Sequence, residues 1–438
     1  FDPATLQKVV YRGVVFQAQG LAAGQFVSGA ASGAIRILPG TDFDYPGSED
    51  AGALDRVEAP LTLAAPPSVE GVDPFDPTAA GLYRGTLRLA ADVSGALENV
   101  VLLKGGGVSG VLWIEGVRRG FRGRFGDNGE LAITITRPGG AVNDIILSLI
   151  LQRVVGADAD GFRLGGTITA DGKSFVVNAQ KHPAYSKTNR APQAGKYTVA
   201  LAAPEGVDTA LEPAGDGYGP LTISFLGNAS GLFVLPDGTR TSFAGHLGVP
   251  YDDGISTVAE WSLHRGLYGK VPKGYLAGKL FFRDLADGWQ PDGFLHWVKQ
   301  PGASAKVYPA GFDLTRRLVG APYLPPAAGE RAMSGLADEF HNLWLRFSGP
   351  DLSALDSLDL FEIDRVATWP TSNRLRYFGP EAVMIRFDPR NGLLTGSYVD
   401  SANGVRISYG GALLQTQSRV AGAFLSQGEG GLFVAQPR

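Results

Sequence analysis

Tyr11, Gly13, Val14, Val15, Phe16, Gln17, Gln19, Gly24, Phe26, Ser28 and Gly33 recur near the other end of the chain. There they read Tyr409, Gly411, Ala412, Leu413, Leu414, Gln415, Gln417, Gly422, Phe424, Ser426 and Gly431, each at the same offset from its tyrosine. Residues 11–37 and 409–435 are thus near-copies, and a segment that recurs at two ends marks an array of like modules. On this reading Phe1 falls inside a strand–turn–strand unit, and residues 1–38 are the closing strands of a truncated preceding module.

Working outward, period-two alternation dominates. Tyr83, Gly85, Leu87 and Leu89 fall on one face and Arg84, Thr86 and Arg88 on the other. Phe121, Gly123 and Phe125 alternate with Arg122 and Arg124, and Leu131, Ile133 and Ile135 with Ala132, Thr134 and Thr136. Apolar-in, polar-out alternation is the pattern of half-buried antiparallel strands. Asp127-Asn128-Gly129, Asp171-Gly172, Pro236-Asp237-Gly238, Asn391-Gly392 and Asn403-Gly404 supply the positive φ that tight hairpins demand. The 61 glycines, 28 prolines and 19% charged residues suit short strands and turns. No amphipathic helix stands out. The expected fold is all-β: antiparallel barrel-like or sandwich modules in tandem.

A second string repeats. Ser109-Gly110-Val111-Leu112 leads through a turn to Phe121-Arg122-Gly123, and Ser230-Gly231-Leu232-Phe233 to Phe243-Ala244-Gly245. Asn391-Gly392-Leu393-Leu394 leads likewise to Tyr409-Gly410-Gly411. Unequal spacing between copies suits modules with variable loops rather than a strict solenoid. Residues 39–80, rich in Pro and Asp, read as a linker. Three β-units follow at 81–191, 195–323 and 334–438, the first two opened by Gly81-Leu82-Tyr83 and Gly195-Lys196-Tyr197.

Together Gly195-Lys196-Tyr197, Gly215-Asp216-Gly217-Tyr218-Gly219, Trp297, Tyr308-Pro309-Ala310-Gly311-Phe312 and Tyr409 through Gly431 carry a resemblance. The chain resembles functionally uncharacterised Gly-rich β-repeat modules found near the C-termini of large exported proteins of environmental Gram-negative bacteria. The resemblance covers most of residues 81–438 and the strands at 11–37. It implies an exported β-module, at the cell surface, extracellular or periplasmic, and brings no catalytic residues with it.

Composition narrows the function. A hydrophobic content of 44% supports packed cores, and a net charge of −4 argues against a nucleic-acid partner. The absence of cysteine excludes disulfides, thiolate metal sites and cysteine nucleophiles. No apolar run is long enough for a membrane-spanning helix. His182, His246, His264, His296 and His341 are scattered, without the short spacings of a zinc site, and read as solvated or hydrogen-bonded strand residues.

Asp42, Asp44, Glu49 and Asp50 around Gly47 form the best acidic cluster, with hard oxygen ligands of the kind calcium prefers. A solvated acidic linker is the simpler account, and no other cofactor is implied. Gly172-Lys173-Ser174 lacks the earlier glycine of a phosphate loop and lies in a hairpin. Among the tryptophans, Trp113, Trp261, Trp297 and Trp344 sit in alternating strands and read as core. Trp289 and Trp369 sit in loops and are the candidates for exposed ligand-stacking platforms.

The expected function is a non-enzymatic structural, adhesive or assembly segment of a larger exported or cell-surface protein. Its partners would be other modules of the same protein, or neighbouring copies, joined through β-strand pairing. The alternative is a carbohydrate-binding accessory module that contacts a cell-surface glycan through Trp289 and Trp369. An outer-membrane barrel would need lipid-facing apolar strands, and outward arginines such as Arg122 and Arg124 speak against it.

Overall fold

Alternating segments bounded by Gly and Asn turns pair with their neighbours in sequence, so the protein is built from antiparallel meanders. The computed structural model describes residues 10–16, 21–28, 31–37, 69–72, 74–90, 92–138, 144–154, 161–304, 306–349, 362–399, 406–426 and 428–438. For 10–37 and Glu362 only the backbone is described. The described residues contain no α-helix, only 3₁₀ turns at Pro77–Ala79 and Gln415–Gln417.

The chain divides into two compact units, Phe1–Asp55 and Arg56–Arg438. The first carries one three-stranded sheet: β1 (Val10–Phe16), β2 (Leu21–Ser28) and β3 (Ala31–Ile37).

Three larger sheets make up the second unit. In the first, β5 (Gly81–Leu89), β6 (Asp92–Leu102), β7 (Gly107–Ile114) and β8 (Val117–Arg124) run in order. They are followed by β9 (Glu130–Ile135), β10 (Ile145–Val154), β11 (Phe162–Ala170) and β12 (Lys173–Lys181). β12 returns to pair with β5, so the meander closes on itself except between β8 and β9. At that seam a Cβ on Gly123 would lie 2.6 Å from Ile133 Cδ1, so the seam is packed although no ladder crosses it. Tyr83, Leu87, Leu97, Leu147, Phe162 and Phe175 fill the interior.

The second sheet repeats the plan. β13 (Gly195–Ala202), β14 (Gly217–Ile223), β15 (Asn228–Val234) and β16 (Arg240–His246) form one half. The short β17 (Tyr251–Asp252), β18 (Thr257–Gly266), β19 (Gly274–Leu285), β20 (Gly288–Lys299) and β21 (Phe312–Pro322) form the other. β21 pairs with β13, and the seam lies between β16 and the β17–β18 edge. Trp261, Trp297 and Phe282, all fully buried, anchor its core. Each such side chain contributes about 1.5–3 kcal/mol or more by leaving water.

The third sheet runs through β22 (Leu343–Ser348), β23 (Glu362–Thr368), β24 (Arg376–Tyr377), β25 (Ala382–Asp388), β26 (Leu393–Val399), β27 (Arg406–Leu414), β28 (Arg419–Ser426) and β29 (Glu429–Pro437). β29 pairs with β22, and the seam falls between β24 and β25.

The terminal repeat is real at the level of backbone register. Tyr11 pairs with Phe26 as Tyr409 pairs with Phe424, Gly13 with Gly24 as Gly411 with Gly422, and Phe26 with Gly33 as Phe424 with Gly431. The Gly-x-Tyr openings are equivalent too. The Tyr83 hydroxyl donates to the Ala79 carbonyl and that of Tyr197 to the Gln193 carbonyl, each at 2.6 Å and each four residues back.

The second string needs one correction. Its physical content is a glycine opposite an aromatic residue: Gly110 pairs with Phe121 and Gly231 with Phe243. Opposite Tyr409 stands Gly396, whereas Gly392 lies in the preceding turn at φ +74°. In the third sheet the string occupies β26 and β27 rather than the third and fourth strands of the meander. It marks a kind of hairpin, not a fixed place in the module.

Within residues 39–80, read as a linker, Val69–Gly71 is a strand of the first sheet. β4 (Val69–Gly71) pairs with β10, Asp76 caps the 3₁₀ turn, and Ala79 is fully buried.

The turn at 236–238 behaves as its sequence indicates. Gly238 sits at φ +83°, and its N–H donates to the Leu235 carbonyl at 2.9 Å. Replacing Gly238 by Val is expected to cost about 1–3 kcal/mol, read as a lowered urea midpoint, while Asn, which tolerates this conformation, costs less. An unchanged midpoint for Gly238→Val would contradict the assignment. The equivalent expectation for Gly404 falls outside the described residues.

Candidate functional site

The sheets of the second unit meet at two junctions of opposite chemistry, and these hold the polar groups whose burial demands explanation.

At the first junction the outer faces of β5 and β6 pack on β18, β19 and β20. Arg84, Thr86 and Glu98 alternate with the core residues of their strands, a parity that reads as a solvent face. Instead Arg84 is only 8% exposed and Thr86 fully buried. Arg84 Nε donates to the Ser262 carbonyl at 2.7 Å, and its guanidinium pairs with Glu98. Trp113 Nε1 donates to the other Glu98 oxygen at 3.0 Å. Burial draws the Arg84 pKa below its ordinary value, and Glu98 opposes that shift. Nearby, Lys279 pairs with Glu260 at 2.5 Å, and the Tyr251 hydroxyl donates to Glu260 at 2.8 Å. His296 contacts the Val93 carbonyl at 3.0 Å and Asp313 at 2.5 Å. Removing one partner from the Arg84–Glu98 or Lys279–Glu260 pair costs about 3–5 kcal/mol because it strands the other.

Gly245 in β16 is bare for this reason. A Cβ there would lie 2.8 Å from Arg84 Nη1 and 2.9 Å from Trp261 Nε1.

Beside these pairs opens a cleft of about 390 Å³, lined among others by Arg84, Glu98, Trp113, His264, Arg265 and Lys270. His264 is 5% exposed, with its ring between Trp113 (centroids 5.2 Å apart) and Tyr275 (5.8 Å). Among the described residues neither of its ring nitrogens has a hydrogen-bond partner. Burial, reinforced by the Arg84 charge, pushes its pKa down to about 3. His246, its ring centroid 4.4 Å from that of His182 and tilted against it, is pushed down to about 3 by burial and then by His182 and Arg84.

The second junction, between β13, β14 and β21 on one side and β27 and β28 on the other, is held mainly by main-chain groups. Thr198 Oγ1 donates to the Leu413 carbonyl at 2.5 Å, the Asp216 N–H to Gly422 at 3.0 Å, and the Ala214 N–H to Gly430 at 2.9 Å. The Tyr308 hydroxyl accepts from the Gly430 N–H at 2.7 Å, and that of Tyr323 donates to Pro389 at 2.7 Å. Ala200, Val319, Ala321, Leu414 and Ala421 form the apolar layer between the sheets. Small side chains let the backbones approach closely enough for these bonds.

The tryptophan candidates are placed differently from expectation. Trp369 is fully buried: its indole donates to Asn373 at 2.8 Å and its ring lies 4.7 Å from Phe387. Its loop folds under the third sheet, so it cannot serve as an exposed platform. Trp289 lies in β20, paired with Asp284, and is half-buried against the second core. Ala286-Asp287 is the turn, and the strand begins at Gly288, one residue before the tryptophan. Trp261 and Trp297 are core as expected, while Trp113 and Trp344 are half-buried. His246 and His296 are buried but hydrogen-bonded strand residues, within the expectation, whereas His264 is neither solvated nor, among the described residues, hydrogen-bonded.

Asp42, Asp44, Glu49 and Asp50 lie outside the described residues. Among the described residues no group of three or more His, Asp or Glu is placed to hold a metal ion, and no helix is long and apolar enough to cross a membrane. Comparison with family models, curated proteins and solved structures finds no match to this chain.

Proposed function

We propose that this chain is a non-enzymatic structural segment of a larger exported or cell-surface protein, in which closed β-meanders are locked in fixed succession and joined to partners by strand pairing. The observation that carries this reading is the second junction. Hydrogen bonds from main-chain and hydroxyl groups and a layer of alanine, valine and leucine support one relative orientation of the sheets, the requirement for a scaffold rather than for a flexible tether. A ladder edge supports the assembly role. Among the described residues β1 and β3 each pair only with β2, and an open edge is a template for strand addition.

The test is the association state of the full chain against a variant lacking residues 1–38. The full chain is expected to associate with rising concentration in sedimentation velocity, and the variant to lose that association. A full chain that stays monomeric, or a variant that associates equally, contradicts the assembly role.

A further inference from the structure

The scaffold role leaves the cleft at the first junction without an explanation. Its volume lies within the range of small-molecule pockets. Trp113 and His264 both line it, their ring centroids 5.2 Å apart, and Trp113 is held by its bond to Glu98. His264 is nineteen-twentieths buried with both ring nitrogens unpartnered among the described residues. Polar atoms so placed are nearly always satisfied in a native protein. A neutral imidazole offers one donor and one acceptor on opposite sides of its ring, and two hydroxyl groups, one accepting and one donating, answer them. At the rim stand Arg265 and Lys270, exposed and without an ion pair among the described residues. Counting Arg84 and Glu98, the lining carries three cationic side chains and one carboxylate, so an anionic group is favoured.

A flat apolar wall, a donor–acceptor imidazole and a cationic rim together describe one ligand class. We propose that the cleft between the first and second sheets binds an acidic sugar, a uronic acid unit of a glycan. A ring face packs on Trp113, hydroxyls bond to His264, and the carboxylate meets Arg265 and Lys270. The site is distinct from Trp289 and Trp369 and is independent of strand-mediated assembly.

The test is calorimetric titration of the full chain with a trigalacturonate, with neutral galactotriose and inorganic phosphate as controls. Saturable binding of the acidic trisaccharide is expected, at least about tenfold tighter than the neutral one, as loss of charge-assisted hydrogen bonds implies. The double variant Arg265→Ala/Lys270→Ala changes only exposed residues and should weaken binding by about tenfold or more. His264→Leu should keep the melting temperature or raise it while losing binding, which separates a ligand role from a purely structural one. Absence of binding, equal binding of the neutral sugar, or phosphate binding as tightly as the trisaccharide would each overturn the proposal.

Discussion

Acidification from pH 7 to pH 4 should strip several kcal/mol from the stability of this protein, with His246 and His264 as the main source. Both stay neutral when folded because burial pushes their pKa down to about 3, whereas an unfolded histidine titrates near 6.5. The folded pKa is the depressed one. The stabilising contribution is therefore complete above about pH 6.5 and is lost as pH falls towards 3. At about 1.36 kcal/mol per pH unit, the fold loses on the order of 3 kcal/mol for each histidine between about pH 6.5 and pH 4, because only the unfolded chain takes up that proton. Asp292, raised by burial to about 6, acts in the opposite sense between about pH 6 and 4 and offsets part of the loss. Urea midpoints at pH 7.5, 5.5 and 4.5 should fall steadily, and His264→Leu should flatten the slope. A midpoint independent of pH over this range would show that these imidazoles are not buried as described.

Widening the second junction should uncouple the third sheet from the second. A Cβ at Gly215 would collide with the Gly431 carbonyl and lie 2.7 Å from Ala423 Cβ, in the stretch where the Ala214 and Asp216 N–H groups bond across. Gly215→Val therefore forces these backbones apart. A cost of about 1–3 kcal/mol is expected from overpacking alone, and more if the flanking bonds break. Scanning calorimetry should show the transition of the two sheets splitting, with the third melting first. A single unshifted transition would contradict a rigid junction.

Much of this architecture is legible in the chain. Alternation at Tyr83–Leu89 and the repeat of Tyr11–Gly33 at Tyr409–Gly431 specify antiparallel strands and even their register, because side-chain parity and turn glycines are local properties. The junctions are not local. Arg84, Thr86, Glu260, Ser262 and His264 occupy the parity opposite the core, and period-two patterning assigns such positions to water. Only the packing of one meander against another turns that face inward. Trp369 fails for a related reason: Pro370 marks a loop, but a loop tucked beneath a sheet buries its aromatic. The Glu98 carboxylate that joins Arg84 to Trp113 carries no spacing signal, since its partners lie 14 and 15 residues away across bulged strands.

The most direct test of an array of self-closing meanders uses the absence of cysteine in the chain. Each closing pair of strands can be given two cysteines at facing positions: Arg88→Cys with Val176→Cys, Ala202→Cys with Arg317→Cys, and Trp344→Cys with Gln436→Cys. Facing residues of antiparallel strands lie within disulfide range, and positions two residues out of register do not. Mild oxidation should cross-link all three pairs within one chain and leave the register-shifted control of Arg88→Cys with Asn178→Cys open. Failure of the facing pairs to link, or equal linking of the shifted control, would contradict closure of each sheet through its first and last strands.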